Sequence, residues 1–299
     1  MQPKLLKPYS EVCHGEVETV KAKIREGWFL VRQHMFIAAL LFLYQLVWGY
    51  FIYRMVHSAV VPLLLRYPDP DAGELSTILF KMESQLSLST HPEVHRYLWI
   101  MGAMLLLRML LTPLIQAGLI YSLQHFNHTE ERIPFVRGIK VLWKPMLLLH
   151  FIKTLLLLLP AYWLVPKLYG IFLDGFHSLQ LLLPGIPYVA GWIIYGWFIH
   201  HALLYMQFGV SAPDGQGGAR GTFQALLLAL RHIISVTGIA VLLGGLHLLI
   251  FGTFTSASWF LTGLIGLILQ QTYPLARCLL DLWKICAHFR LWQSKSSKG

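Results

Sequence analysis

Acidic residues are scarce in this chain, and the places that lack them carry the most information. Only 14 of the 299 residues are Asp or Glu, against 24 Lys or Arg. None falls within six long apolar stretches lying between Met35 and Leu280. Charged residues of both signs amount to 13%, about half the roughly 25% of an ordinary soluble domain. With 56% hydrophobic residues and a mean hydropathy of +0.57, the chain has too little polar surface to keep a water-exposed fold in solution. The bilayer is the solvent that fits. Cysteine is nearly missing as well. Cys13, Cys278 and Cys286 fall in segments expected in the cytosol, where thiols stay reduced, so no disulfide framework is implied. An early apolar run is also lacking: the first 34 residues hold six Lys or Arg and four Glu. That is not the layout of a secretory signal, and the first span is expected to act as its own uncleaved insertion signal.

Crossing about 30 Å of hydrocarbon takes roughly 20 apolar residues in a helix, the form that satisfies its own backbone. Six segments meet that requirement: residues 35–53, 97–123, 146–165, 181–208, 233–254 and 258–280. The expected fold is therefore all-α, a polytopic membrane bundle of six transmembrane helices. Three parts follow: a cytosolic N-terminal amphipathic segment over 1–34, the six-helix domain over 35–280, and a cytosolic amphipathic tail over 281–299.

Basic residues give the direction. With the N-terminus inside, cytosolic segments hold 17 Lys or Arg, counting Arg277 at the inner end of the sixth stretch, and outer loops hold 5, leaving Arg108 and Lys153 deeper within spans. Cytosolic loops carry the excess of Lys and Arg in membrane proteins, so both termini are expected in the cytosol, in a bacterial-type plasma membrane. The net charge of +10 is spread over membrane-facing ends, where it suits anionic headgroups of the inner leaflet rather than nucleic acid. Trp48 and Trp192 fall too deep for the headgroup level and read as packing residues.

Each odd-numbered span is preceded by an amphipathic stretch. Before the first, Val17, Val20, Ile24, Trp28 and Val31 recur beside Lys21, Lys23, Arg25 and Arg32. Before the third, Phe135, Ile139 and Leu142 alternate with Arg137, Lys140 and Lys144. Before the fifth, Phe223, Leu226, Leu227 and Leu230 precede Arg231. An apolar stripe flanked by cations suits a helix lying in the membrane interface. Three hairpins, each led by an interfacial helix, are the resulting expectation. A last amphipathic stretch sets Leu279, Leu282, Trp283, Cys286 and Phe289 on one side.

The segment 117–159, especially Phe135-Val136-Arg137-Gly138-Ile139 running into Trp143-Lys144-Pro145, and its echo at Phe223–His232 resemble uncharacterised six-span bacterial membrane proteins. These are related to the membrane domain of glycerophosphodiester phosphodiesterases. The resemblance is one of layout. It implies an integral membrane scaffold or a transport-related role, without the phosphodiesterase catalytic domain.

Polar residues inside the spans are the candidates for chemistry: Arg108, Gln116, His150, Lys153, His200 and His201. A charge in hydrocarbon costs several kcal/mol, roughly +2.5 to +3.5 on insertion scales, and the spans offer no carboxylate to pair with it. Two readings stay open, snorkelling with hydrogen bonds inside the bundle or a site for an anionic lipid or solute. The histidines have no i, i+4 repeat and no Cys or carboxylate at ligand spacing, so neither metal nor other cofactor is expected. Cys13-His14 with Cys286 and His288 lacks zinc-finger spacing. Gly215, Gly217, Gly218 and Gly221 around Arg220 lack the Lys and Ser or Thr of a phosphate loop. The outer residues 75–86 suggest a short capping helix. No catalytic triad or dyad is visible, which favours a non-enzymatic scaffold or accessory subunit with protein partners. The alternative is a permease component for a lipid or anionic solute. A lipid-acting enzyme would need His150, His200 or His201 as its base.

Overall fold

The computed structural model describes residues 9–64, 92–125, 134–175, 183–212, 218–261 and 264–296, and among these it contains helices and no strand. The helices are α1 (Tyr9–Gln33), α2 (Met35–Leu64), α3 (Pro92–Gln124), α4 (Pro134–Gly175), α5 (Gly185–Val210), α6 (Ala219–Arg231), α7 (Ile233–Phe260) and α8 (Leu264–Ser296). Among the described residues, five helices are long and apolar enough to cross a membrane, over Met35–Ser58, Trp99–Gln124, Pro134–Phe172, Gly185–Val210 and Ile233–Phe260. They correspond to the first five expected spans. The stretch expected as the sixth, 258–280, begins inside α7, is interrupted at Leu261 and resumes as the first half of α8. The outer segment 75–86 lies outside the described residues.

The helix boundaries explain where the amphipathic leads end. α1 gives way to α2 at His34, and α6 gives way to α7 at His232, so each lead meets its span at a single histidine. The lead before the third span differs. α4 runs unbroken for 42 residues through Pro145, Pro160 and Pro166. At 1.5 Å per residue that is about 63 Å, longer than the whole bilayer with its headgroups. Proline is tolerated there because neighbouring groups re-satisfy freed backbone in membrane helices.

Two compact units make up the chain, one of Met1–Ala38 with Pro113–Gly299 and one of Ala39–Thr112. In the smaller unit, Thr112 Oγ1 donates to the Arg108 carbonyl at 2.7 Å, and Tyr44 Oη lies 3.2 Å from the same hydroxyl. A threonine has one proton, so Tyr44 is the donor to Thr112. Trp48 is buried beside Tyr44, as expected of a packing residue. Trp192, in the larger unit, is 36% exposed and faces outward instead.

The larger unit is held by close backbone approaches. Lipid tails are as apolar as leucine, so helices in a bilayer associate through small residues, packing and polar contacts. Three glycine contacts do this. Gly27 of α1 lies against Ala287 of α8, with room for no Cβ. Gly118 and Gly138 meet the Phe135 and Tyr121 side chains where α3 turns into α4. Gly209 of α5 lies against Gly221 and Ala225 of α6. Around these, Ile120, Met146, Tyr205, Phe208, Ile239, Leu282 and Leu291 form the buried centre.

Candidate functional site

The polar side chains of the larger unit converge where α4, α5 and α8 meet. Lys153, from the middle of α4, places its ammonium 2.8 Å from His200 Nδ1 on α5. An ammonium only donates. His200 Nδ1 is thus the acceptor, and the imidazole proton sits on Nε2. His201 turns the other way, since neighbours on a helix point about 100° apart. Its Nδ1 donates to the Trp197 carbonyl at 2.9 Å, and its ring packs edge-on to His288 of α8, centroids 5.1 Å apart. His288 in turn lies 3.3 Å, through Nδ1, from the hydroxyl of Tyr205. Lys153, His200, His201, His288 and Tyr205 thus form one continuous polar chain from α4 to α8.

Local sequence accounts for these positions. The α5 segment Trp197–Tyr205 carries its polar groups at 200, 201 and 205, so residues 201 and 205 share one face at i, i+4. That face meets α8, whose Leu282, Cys286 and Phe289 are buried together with His288. Phe208 seals the joint against Phe289 and Trp292.

The other expected site residues are placed separately. Gln116 of α3 accepts from Gln207 Nε2 at 3.4 Å and does not meet the Lys153 chain. Gln124 Nε2 donates to the Phe208 carbonyl at 3.2 Å. His150 sits one turn before Lys153; its Nδ1 is buried without a hydrogen-bond partner, as is Nδ1 of His247 on α7. Arg108 belongs to the smaller unit and is exposed.

Tyr205 and His288 were not singled out as site residues by the sequence. A buried tyrosine or histidine tail residue gives no signal until the partner helix is known. Cys286, beside His288, is a buried free thiol pushed up to about 12, first by burial, with Arg290 acting the other way. The side chains of Cys13 and His14 lie outside those described. Among the described residues, no three His, Cys, Asp or Glu side chains are placed to share a metal ion.

His288 gives the site a pH dependence. Burial first, then repulsion from His201 and His200 when they are protonated and from Lys284, hold it down from 6.5 to about 3. Its neutral form is the one that folds. The stability it contributes is complete above pH 6.5 and is lost as the pH falls from there toward 3. The unfolding constant should rise up to tenfold per pH unit in that window. Denaturation midpoints in detergent at pH 7.5 and 4.5 check this. His288→Gln should flatten the difference; equal pH slopes in both proteins would remove His288 from the account.

The seam of α1 and α8 forms a second polar feature, where Trp283 Nε1 donates to the Ile24 carbonyl at 2.8 Å and its ring lies tilted at 55° to that of Trp28, centroids 4.9 Å apart. A groove of about 360 Å³ there is lined by Lys21, Ile24, Arg25, Trp28 and Trp283. A larger groove, about 720 Å³, runs between the distal ends of α4 and α5 and is lined by apolar residues including Val165, Phe172, Ile186 and Ile193. No family model, curated protein or solved structure matches the chain.

Proposed function

We propose that the chain is a six-span, multi-pass protein of a bacterial-type plasma membrane. In this reading both termini are cytosolic, and the protein acts as a non-enzymatic scaffold or accessory subunit of a larger membrane assembly. The observation that carries the topology is the pairing of α1 with the second half of α8, through Gly27, Ala287, Trp28 and Trp283. Helices that touch along the membrane surface share a side, so the number of crossings between them is even. With five apolar helices among the described residues, an even number favours a sixth crossing, for which the first half of α8 is the candidate. Basic residues Lys21, Arg25 and Lys284 along this seam favour the cytosolic side.

The scaffold role rests on the outward-facing apolar surfaces. Phe36 of α2 is 71% exposed, Trp99 of α3 79%, Tyr162 of α4 90% and Phe260 of α7 86%. Such residues serve lipid and partner helices equally well, and the amphipathic helices α1, α6 and α8 add a surface facing water. The single-histidine junctions at His34 and His232 favour a repeated hairpin unit.

The permease reading has its own support, the Lys153–His200 contact between α4 and α5, in which Lys153 is half-buried and His200 exposed. Two measurements separate the readings. Cysteine labelling of both ends in intact cells and in opened vesicles should give reaction only after opening. Mild-detergent purification should then recover a stoichiometric partner subunit. Ends that label from opposite faces would overturn the topology. A solitary protein that moves a solute in proteoliposomes, and stops when Lys153 is changed to Ala, would replace the scaffold by the permease.

A further inference from the structure

The charges around Lys153 do not balance. Among the described residues no carboxylate pairs with its ammonium. Asp281 of α8 is already shared by Arg277 at 3.9 Å and Lys284 at 3.6 Å. Lys153 is thus left without a counter-charge among the described ion pairs. Lys153 is half-buried within an apolar helix, and a cation held at membrane depth without a counter-charge costs several kcal/mol.

The donors are also organised. One of three ammonium protons of Lys153 goes to His200 Nδ1, leaving two. His200 must carry its own proton on Nε2, which is a further donor. His150, one turn before Lys153, and His247 on α7 each have a buried ring nitrogen without a partner. Donors from two helices, backed by an uncompensated charge, match the non-bridging oxygens of a phosphate group. A carboxylic acid chain or a metal ion matches them poorly, the first for having only two oxygens, the second for its positive sign.

We propose that Lys153 and His200, flanked by His150 and His201, form a binding site for a phosphate-bearing anion. That anion is either the headgroup of an anionic lipid or free phosphate from the cytosolic side. The inference rests on the membrane reading of α4 and α5 and is independent of the scaffold role.

The test uses the full-length protein purified in a neutral detergent. Its melting midpoint is titrated with phosphatidylglycerol, with zwitterionic phosphatidylcholine, and with inorganic phosphate against chloride at equal ionic strength. Wild type should show a saturable upward shift. Confinement of that shift to phosphatidylglycerol identifies a lipid headgroup, and a matching shift with inorganic phosphate identifies the free anion. Lys153→Arg should retain binding, and Lys153→Met should weaken it at least tenfold. His200→Leu provides the same readout if Lys153→Met does not fold. No saturable shift in wild type, an equal shift with phosphatidylcholine, or unchanged affinity in the folded variants would overturn the site. The membrane reading fails separately, through the labelling pattern of the two ends.

Discussion

Gly209→Val should strip α6 from α5 and leave little folded protein in detergent. A Cβ at Gly209 would run into the Gly221 carbonyl oxygen and stand 2.7 Å from the Ala225 Cβ and 2.9 Å from the Gly221 carbonyl carbon. Two of these three neighbours are backbone atoms, which cannot move away by changing rotamer. Overpacked cores usually lose 1–3 kcal/mol, and a backbone-to-backbone clash belongs at the top of that range, about 3 kcal/mol or more. Gly191 in the same helix is the control. It is exposed, and its Cβ would meet nothing within 4 Å. Gly191→Ala should therefore be neutral or gain up to about 1 kcal/mol from helix propensity. Chemical-denaturation midpoints and the recovered yield of monodisperse protein measure both. A Gly209→Val protein that melts with wild type would mean that α6 does not seat on α5 as described.

The contrast between these two glycines shows which parts of the architecture the sequence could announce. Apolar runs and basic flanks follow from solvent alone, and five of six expected spans reappear as helices long and apolar enough to cross. The stripe Val20, Ile24, Trp28 and Val31 announced α1 for the same reason. What composition cannot encode is rotation about the helix axis and choice of neighbour. Nothing in Gly191 or Gly209 distinguishes the one facing open space from the one facing a backbone carbonyl. The length of α4 is equally hidden, since the helix passes through Pro145, Pro160 and Pro166. The apolar run 258–280 concealed the interruption at Leu261, because hydropathy is blind to a backbone break.

The candidate site was legible in part for a related reason. A lysine or histidine in hydrocarbon is costly wherever it points, so Lys153, His150, His200 and His201 stood out from depth alone. Their connection did not. Lys153 and His200 are 47 residues apart in the chain, and His200 and His201 serve different partners despite being adjacent. Tyr205 is ordinary in an apolar helix, and His288 lay in a tail read as amphipathic, so neither cost nor pattern marked them. They became visible once α8 was found packed on α5. Gln116 was marked by the same depth argument as Lys153 but pairs with Gln207. Depth selects candidates; helix apposition decides which of them act together.

Gly27→Leu should separate the two ends of the chain. The Cβ position of Gly27 lies 2.8 Å from both the amide nitrogen and the Cα of Ala287 and 3.1 Å from its Cβ. Leucine adds three further carbons in the same direction, so α1 must leave α8 or the two must part along the seam. The expected loss is again about 3 kcal/mol. Trp283→Phe calibrates it. That change removes the 2.8 Å bond to the Ile24 carbonyl and keeps the aromatic contact with Trp28. A single net hydrogen bond contributes about 1 kcal/mol, so Trp283→Phe should loosen the seam without opening it. Limited proteolysis within residues 9–33 reads the difference: rapid cleavage for Gly27→Leu, slow cleavage for Trp283→Phe. Because the evenness of the crossings is inferred from this seam, the two variants also test the reason for it. Equal protection of α1 in Gly27→Leu and wild type would show that α1 is held by the membrane surface rather than by α8. The termini could then share a side without touching, and the argument for a sixth crossing would rest on the basic residues alone.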